Sequence, residues 1–159
     1  MAAIGNFLWI LMAGWAVALA WLLAAAIAVV SVVLAPLAPS ALKLALFSLF
    51  PFGRELIDKQ VLYGNSTTAV KTLRSGLNVI WLVLVGWWLA TFLSLFAVGF
   101  FITIIGIPFG VQALKLAGAA LWPVGKEIVS KELAREAKQQ SAKEALNLRR
   151  AKATAVVPH

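Results

Sequence analysis

Two lysines stand where an unneutralised charge is costly. Lys43 and Lys115 each lie inside an otherwise apolar segment, 72 residues apart in a chain of 159. An ammonium group in such a place must reach water, a headgroup or a partner. Two readings stay open: the four-carbon stems snorkel to the nearer membrane surface, or the pair lines a site wetted by water or bounded by another subunit. No Asp or Glu interrupts the apolar blocks. Any polar path past these lysines would therefore favour anions.

A second candidate is the helix-breaking run Ile104 to Gly110, with Ile104, Gly106, Pro108 and Gly110 as its marker residues. Non-helical backbone at membrane depth survives only where protein buries it or where it lines a cavity, because its N–H and C=O groups need partners. At the membrane surface the same run is an ordinary loop. Other chemistry has little raw material. There is no cysteine, the lone histidine is His159, and Asp58 is the single Asp. Thiolates, a hydrolytic triad and a His-based metal site are thus not expected, and we expect no catalytic residue, metal or cofactor.

The elements that must position these residues are apolar. Hydrophobic residues make up 62% of the chain, well above the roughly 45–50% of soluble domains. So much apolar surface exceeds what a core of this size hides, so the lipid bilayer and further copies of the chain are the expected partners. The net charge of +8 does not point to nucleic acid, because the Lys and Arg residues bracket the apolar blocks. Lys43 is the only charged residue from Met1 to Phe52, and Lys115 the only one from Ser75 to Gly125. Basic residues collect instead between Arg54 and Arg74 and from Lys126 to Lys152, as cytoplasmic loops do under the positive-inside rule. No Lys or Arg precedes the first apolar run, which argues against a signal peptide.

An internal repeat organises these blocks. Positions 6 to 56 align with 78 to 128 without a gap: Asn6, Trp9, Gly14, Trp15 and Ala18 meet Asn78, Trp81, Gly86, Trp87 and Ala90, and Pro36 meets Pro108. The run Ala41 to Ala45 likewise meets Ala113 to Ala117. Rare Trp, Pro and Lys residues would not fall into register through apolar composition alone. The chain divides into a first membrane repeat (1–57), a basic connector loop (58–76), a second membrane repeat (77–128) and a basic helical tail (129–159). Each repeat holds one long apolar run, Asn6 to Leu34 or Asn78 to Ile105, that can cross the bilayer as a helix. A shorter segment follows, Ser40 to Phe50 or Val111 to Trp122, which is a half-helix or a re-entrant one. The predicted fold is therefore an all-α integral membrane protein of two tandem repeats with a C-terminal helix.

Because both the connector and the tail are basic, both are predicted to be cytoplasmic. The halves then run parallel; the rival arrangement is a pair of inverted repeats. Trp9, Trp81 and Trp122 would form an interfacial aromatic belt, and Asn6 and Asn78 would be helix N-caps. Small residues at Gly14 and Ala18, and at Gly86, Ala90 and Ser94, suit close helix packing. Tyr63 to Thr68 reads as a turn-bearing loop through Gly64, Asn65 and Ser66. Past Lys126 a cytoplasmic helix of about five turns is expected, with Glu127 and Lys131 as an i,i+4 pair. It frays from Ala153 to His159, and anionic lipid is the partner expected along this basic tail.

The runs Gly86 to Leu89, Ile104 to Gly110 and Leu121 to Glu127 resemble the YccF family of small bacterial inner membrane proteins, whose duplicated domain of roughly fifty residues is similar to the repeat. The resemblance covers nearly all of the chain but the tail. The second half carries the motifs better: in the first, the breaker motif has decayed over Val33 to Ala38, and Phe50 replaces Trp122. The resemblance implies a multi-pass protein of the bacterial inner membrane and no particular reaction. Two functions are expected from the residues: a small homo-oligomeric, anion-leaning pore using Lys43, Lys115 and the breaker, or a non-conducting scaffold or lipid-associated regulator acting through the tail.

Overall fold

The computed structural model describes residues 2–64 and 66–156; Asn65 of the predicted loop and His159 lie outside the described residues. A long helix, α1 (Ala2–Val30), turns into a short one, α2 (Ala35–Leu49). A strand, β1 (Arg54–Asp58), and a single helical turn, α3 (Lys59–Tyr63), lead to the second long helix, α4 (Thr68–Phe101). The pattern then repeats with α5 (Ile107–Leu121), β2 (Lys126–Ser130) and a tail helix, α6 (Lys131–Val156). At 29 and 34 residues, α1 and α4 run roughly 44 and 51 Å, longer than the ~30 Å apolar slab of a bilayer. Each long helix packs mainly on the short helix that follows it, giving two antiparallel hairpins.

Local chemistry explains the boundaries. Pro36, Pro39 and Pro108 open the short helices and do not merely break the long ones, since a first-turn residue lacks an intrahelical N–H partner in any case. Both long helices contain one wide π-type turn at the same place in the repeat, Ile10–Gly14 and Leu82–Gly86. Each ends on a glycine over which a tryptophan lies. A Cβ on Gly14 would stand 2.7 Å from the Trp9 ring, and one on Gly86 would stand 2.8 Å from the Ala120 carbonyl oxygen. Gly14 and Gly86 are thus packing residues: Gly14 admits the indole of its own helix, and Gly86 admits the backbone of α5 together with the Trp81 ring. Ala18 and Ala90 are buried with them, whereas Ser94 is half-buried.

Trp9 and Trp81 do not form the expected surface belt. Both are 0% exposed, and their indole N–H groups donate to Ser48 O at 2.7 Å and Ala120 O at 2.8 Å. The inward turn satisfies the polar end of each ring inside the hairpin, which removes the reason to seek headgroups. Of the three predicted belt residues only Trp122, 39% exposed, keeps an open face. Asn6 and Asn78 are not N-caps either, because α1 and α4 begin well before them. Asn6 donates to Phe52 O at 3.2 Å and accepts from Phe52 N–H at 2.9 Å. Asn78 does the same with Val124, at 3.1 and 2.9 Å. Each is a two-bond clamp that ties the foot of a long helix to the end of its own short helix.

Two further expectations change. The connector is largely helical: it holds α3 and the first turns of α4, which starts at Thr68. The segment after Lys126 is first a strand, so Glu127 and Lys131 are not a helical pair; Glu127 lies 3.3 Å from Lys59 instead. The tail helix therefore starts at Lys131 and continues for 26 residues to Val156, past the point where fraying was expected.

Candidate functional site

The site is built on a two-stranded ribbon that the helical periods do not reveal. β1 and β2 pair antiparallel with Leu56 opposite Ile128, Arg54 opposite Ser130 and Asp58 opposite Lys126. Leu56 and Ile128 are equivalent positions of the repeat, so the register is symmetric about that pair. The flanking bonds obey the same symmetry: Lys59 N–H donates to Gly125 O at 2.8 Å, and Lys131 N–H donates to Gly53 O at 3.3 Å. Gly53 and Gly125, at φ 88° and 96°, turn each chain from helix into strand in a conformation that side chains other than glycine's resist. The halves are therefore related by a pseudo-two-fold axis through the ribbon. Both long helices start and both short helices end at this one face, so the halves run the same way.

Alternation along the strands sorts the charges. Leu56 and Ile128 pack against the helical core, where Trp9, Trp21, Trp81, Leu89 and Leu93 are buried. On the opposite face Ile57 and Val129 pack with Val61 and Leu62 and with Ala134 and Ala137 of α6. The acids at Glu55 and Glu127 share that outer face by register and find lysines in the outer layer: Lys138 donates to Glu55 and Lys59 pairs with Glu127. The hydrogen bond from Lys138 holds the Glu55 carboxyl below the usual range against a raising effect of desolvation, helped by the positive charges of Lys138, Lys115 and Lys131. Arg54 and Lys126 alternate onto the helix-facing side.

Two pockets flank the ribbon there. In the first, of about 140 Å³, Lys43 of α2 faces β2 of the other half, with Lys59, Arg74, Lys126 and Glu127 in the lining. In the second, of about 330 Å³, Lys115 of α5 faces β1 of the first half, with Arg54, Glu55 and Lys126. The pseudo-two-fold exchanges Lys43 with Lys115, Lys126 with Arg54 and Glu127 with Glu55. Each pocket thus combines a lysine from one repeat with a basic strand residue from the other. Arg74 has no counterpart, since its equivalent position is Ala2.

The breaker residues are not brought to these lysines. Ile104 and Gly106 lie in the turn between α4 and α5 and Pro108 and Gly110 in the first turn of α5, at the end of the hairpin away from the ribbon, and all four line neither pocket. Their backbone is satisfied within the turn, where Gly106 N–H donates to Thr103 O at 3.0 Å and Gly110 N–H donates to Gly106 O at 2.8 Å. A Cβ on Gly106 would meet the Phe100 carbonyl oxygen at 2.0 Å, and one on Gly110 would meet the Phe101 ring at 2.7 Å. Gly106 is required for the tight turn and Gly110 for the contact of α5 with Phe101, and Ile104, 87% exposed, points outward. Sequence reasoning missed Arg54, Arg74 and Lys126. The signal that could have found Arg54 and Lys126 is the pair of short alternating segments behind Pro-Phe-Gly and Pro-Val-Gly, read as strands; Arg74, on α4, is in neither.

The seam between the halves is closed. Trp21 stacks on Trp81 with centroids 6.4 Å apart, and Trp9 stacks on Phe109 at 6.3 Å. The Trp21 indole N–H is buried there without a hydrogen-bond partner, at a cost of about 1–3 kcal/mol. The YccF family model, an inner membrane component domain, matches residues 4–54 and again 76–126. The proteins called Inner membrane protein YccF of Escherichia coli (strain K12) and of Shigella flexneri are each 35% identical over 144 residues, covering 90% of this chain and 97% of theirs. No solved structure matches.

Proposed function

This chain belongs to the YccF family of inner membrane proteins, and on that premise we propose that it is a non-conducting, lipid-associated scaffold. Its two hairpins anchor in the bilayer and hold the ribbon with α6 as a rigid platform at the cytoplasmic surface. The observation that supports this is the filled seam: Trp9, Trp21, Trp81, Leu89 and Leu93 are fully buried along the pseudo-two-fold, where a path through a single chain would run. Lys43 and Lys115 line two separate pockets. The basic residues of the connector and of α6 lie at the ribbon end, which the positive-inside rule assigns to the cytoplasm.

The second reading, a homo-oligomeric anion-leaning pore, rests on the exposure of both lysines and on the broad apolar surface of the hairpins, among it Val30, Val32, Ile102 and Ile105. Its path would have to run between copies. Chloride and phosphate flux into proteoliposomes of the purified protein separates the two. We expect flux equal to that of protein-free vesicles; flux above that level that disappears in the Lys43→Ala, Lys115→Ala double variant overturns the scaffold reading in favour of the pore.

A further inference from the structure

We propose that the two pockets beside the ribbon are binding sites for a phosphate group, with the Lys43 pocket the tighter. This names the ligand of the platform described above, and it rests on that reading only in setting the ribbon at the bilayer surface.

Of the three strand carboxylates, Glu127 and Glu55 each line a pocket but are paired with Lys59 and Lys138, and Asp58, opposite Lys126, accepts from the Gln60 N–H at 3.0 Å. Among the described residues, Lys43, Arg74 and Lys126 have no carboxylate in ion-pair contact, yet they converge on one space of about 140 Å³. One wall of that space is the apolar foot of the hairpins, with Leu44, Leu56 and Ile128. Low-dielectric walls strengthen the mutual repulsion of three cations and the gain from an anion set between them. A single-charge acceptor with two oxygens does not use donors arriving from three elements. A phosphate does: its oxygens point in several directions and match a planar guanidinium together with two ammonium groups. Arg74 passes beside Gly125, where an added Cβ would make an ordinary contact with its Cδ at 3.7 Å, and its guanidinium also donates to Ser66 Oγ at 3.3 Å. The second pocket offers Lys115, Arg54 and Lys126 around a wider space and has no equivalent of Arg74, which makes it the weaker site. Basic pockets at the foot of transmembrane helices suit anionic headgroups, and free phosphate presents the same chemistry.

The test uses the full-length protein in two arms. In the first, protein from vesicles of phosphatidylcholine with phosphatidic acid is extracted gently and its retained lipids are counted by native mass spectrometry. We expect retention of up to two phosphatidic acid molecules in preference to phosphatidylcholine. The Lys43→Gln, Arg74→Gln variant should lose the tighter one by about tenfold or more, and the Lys115→Gln, Arg54→Gln variant the weaker one. The charge-keeping Lys43→Arg, Arg74→Lys variant should retain most of the first, which guards against misfolding as the explanation, and Lys143→Gln on α6 should change nothing. In the second arm, inorganic phosphate is titrated onto protein in pure phosphatidylcholine nanodiscs. Saturable binding there that is lost in the same double variant identifies free phosphate as a ligand, whereas retention in the first arm alone identifies the lipid headgroup. Retention indifferent to all four substitutions, with no phosphate binding, overturns the sites and leaves the scaffold reading intact. Anion flux would do the reverse.

Discussion

Replacing Asn78 with Asp separates a clamp from a cap. At an N-cap the two residues are nearly equivalent, since either side-chain oxygen accepts from the helix N–H groups. In this structure Asn78 is fully buried and must donate to Val124 O at 3.1 Å as well as accept from Val124 N–H at 2.9 Å. An Asp carboxylate keeps the second bond, loses the first, and sets a negative oxygen against a carbonyl oxygen. An unmade buried bond costs about 1–3 kcal/mol, and the uncompensated charge adds to it, so the loss is about 3 kcal/mol. For a chain of this size that corresponds to a fall in Tm of roughly 6–12 °C. Asn6→Asp cuts the equivalent bonds at a half-exposed position, where water can replace the lost donor, and should cost about 1 kcal/mol. Tryptophan-fluorescence melting in nanodiscs measures all of this. Equal melting of wild type, Asn6→Asp and Asn78→Asp at neutral pH would refute the clamp.

Two other outcomes follow from the same contacts. Gly86→Ala must move the Trp81 ring or the Ala120 carbonyl oxygen 2.8 Å away and should destabilise by about 1–3 kcal/mol, whereas Gly76→Ala, with nothing within 4 Å of its new methyl, should gain up to about 1 kcal/mol of helix propensity; thermal melts of the pair check the contrast. The lowered pKa of Glu55 gives stability that is present above the ordinary carboxylate value and lost as pH falls through the lowered one, so the contact of α6 with the ribbon should loosen only in that acid window. Lys138→Met should raise the Glu55 pKa, weaken the contact already at neutral pH and blunt its acid loosening, followed by the Glu55 carboxyl NMR shift and by tryptic cleavage within α6.

The amino-acid sequence by itself determined the membrane class, the duplication and the two hairpins, because apolar run length and a gapless repeat of rare residues are properties of the chain and need no partner. It also singled out Lys43 and Lys115, since a charge in an apolar run is visible without a fold. What those lysines face was decided by tertiary structure alone. Segments such as Arg54 to Asp58 are too short for a period to separate strand from loop or helix, and a ribbon exists only when two of them, distant in the chain, meet in register. The same limit explains the asparagines and tryptophans. An Asn near a helix start looks like a cap and a Trp near an apolar boundary looks like a belt until the carbonyl groups of Phe52, Val124, Ser48 and Ala120 come within reach, and only the folded hairpin brings them there.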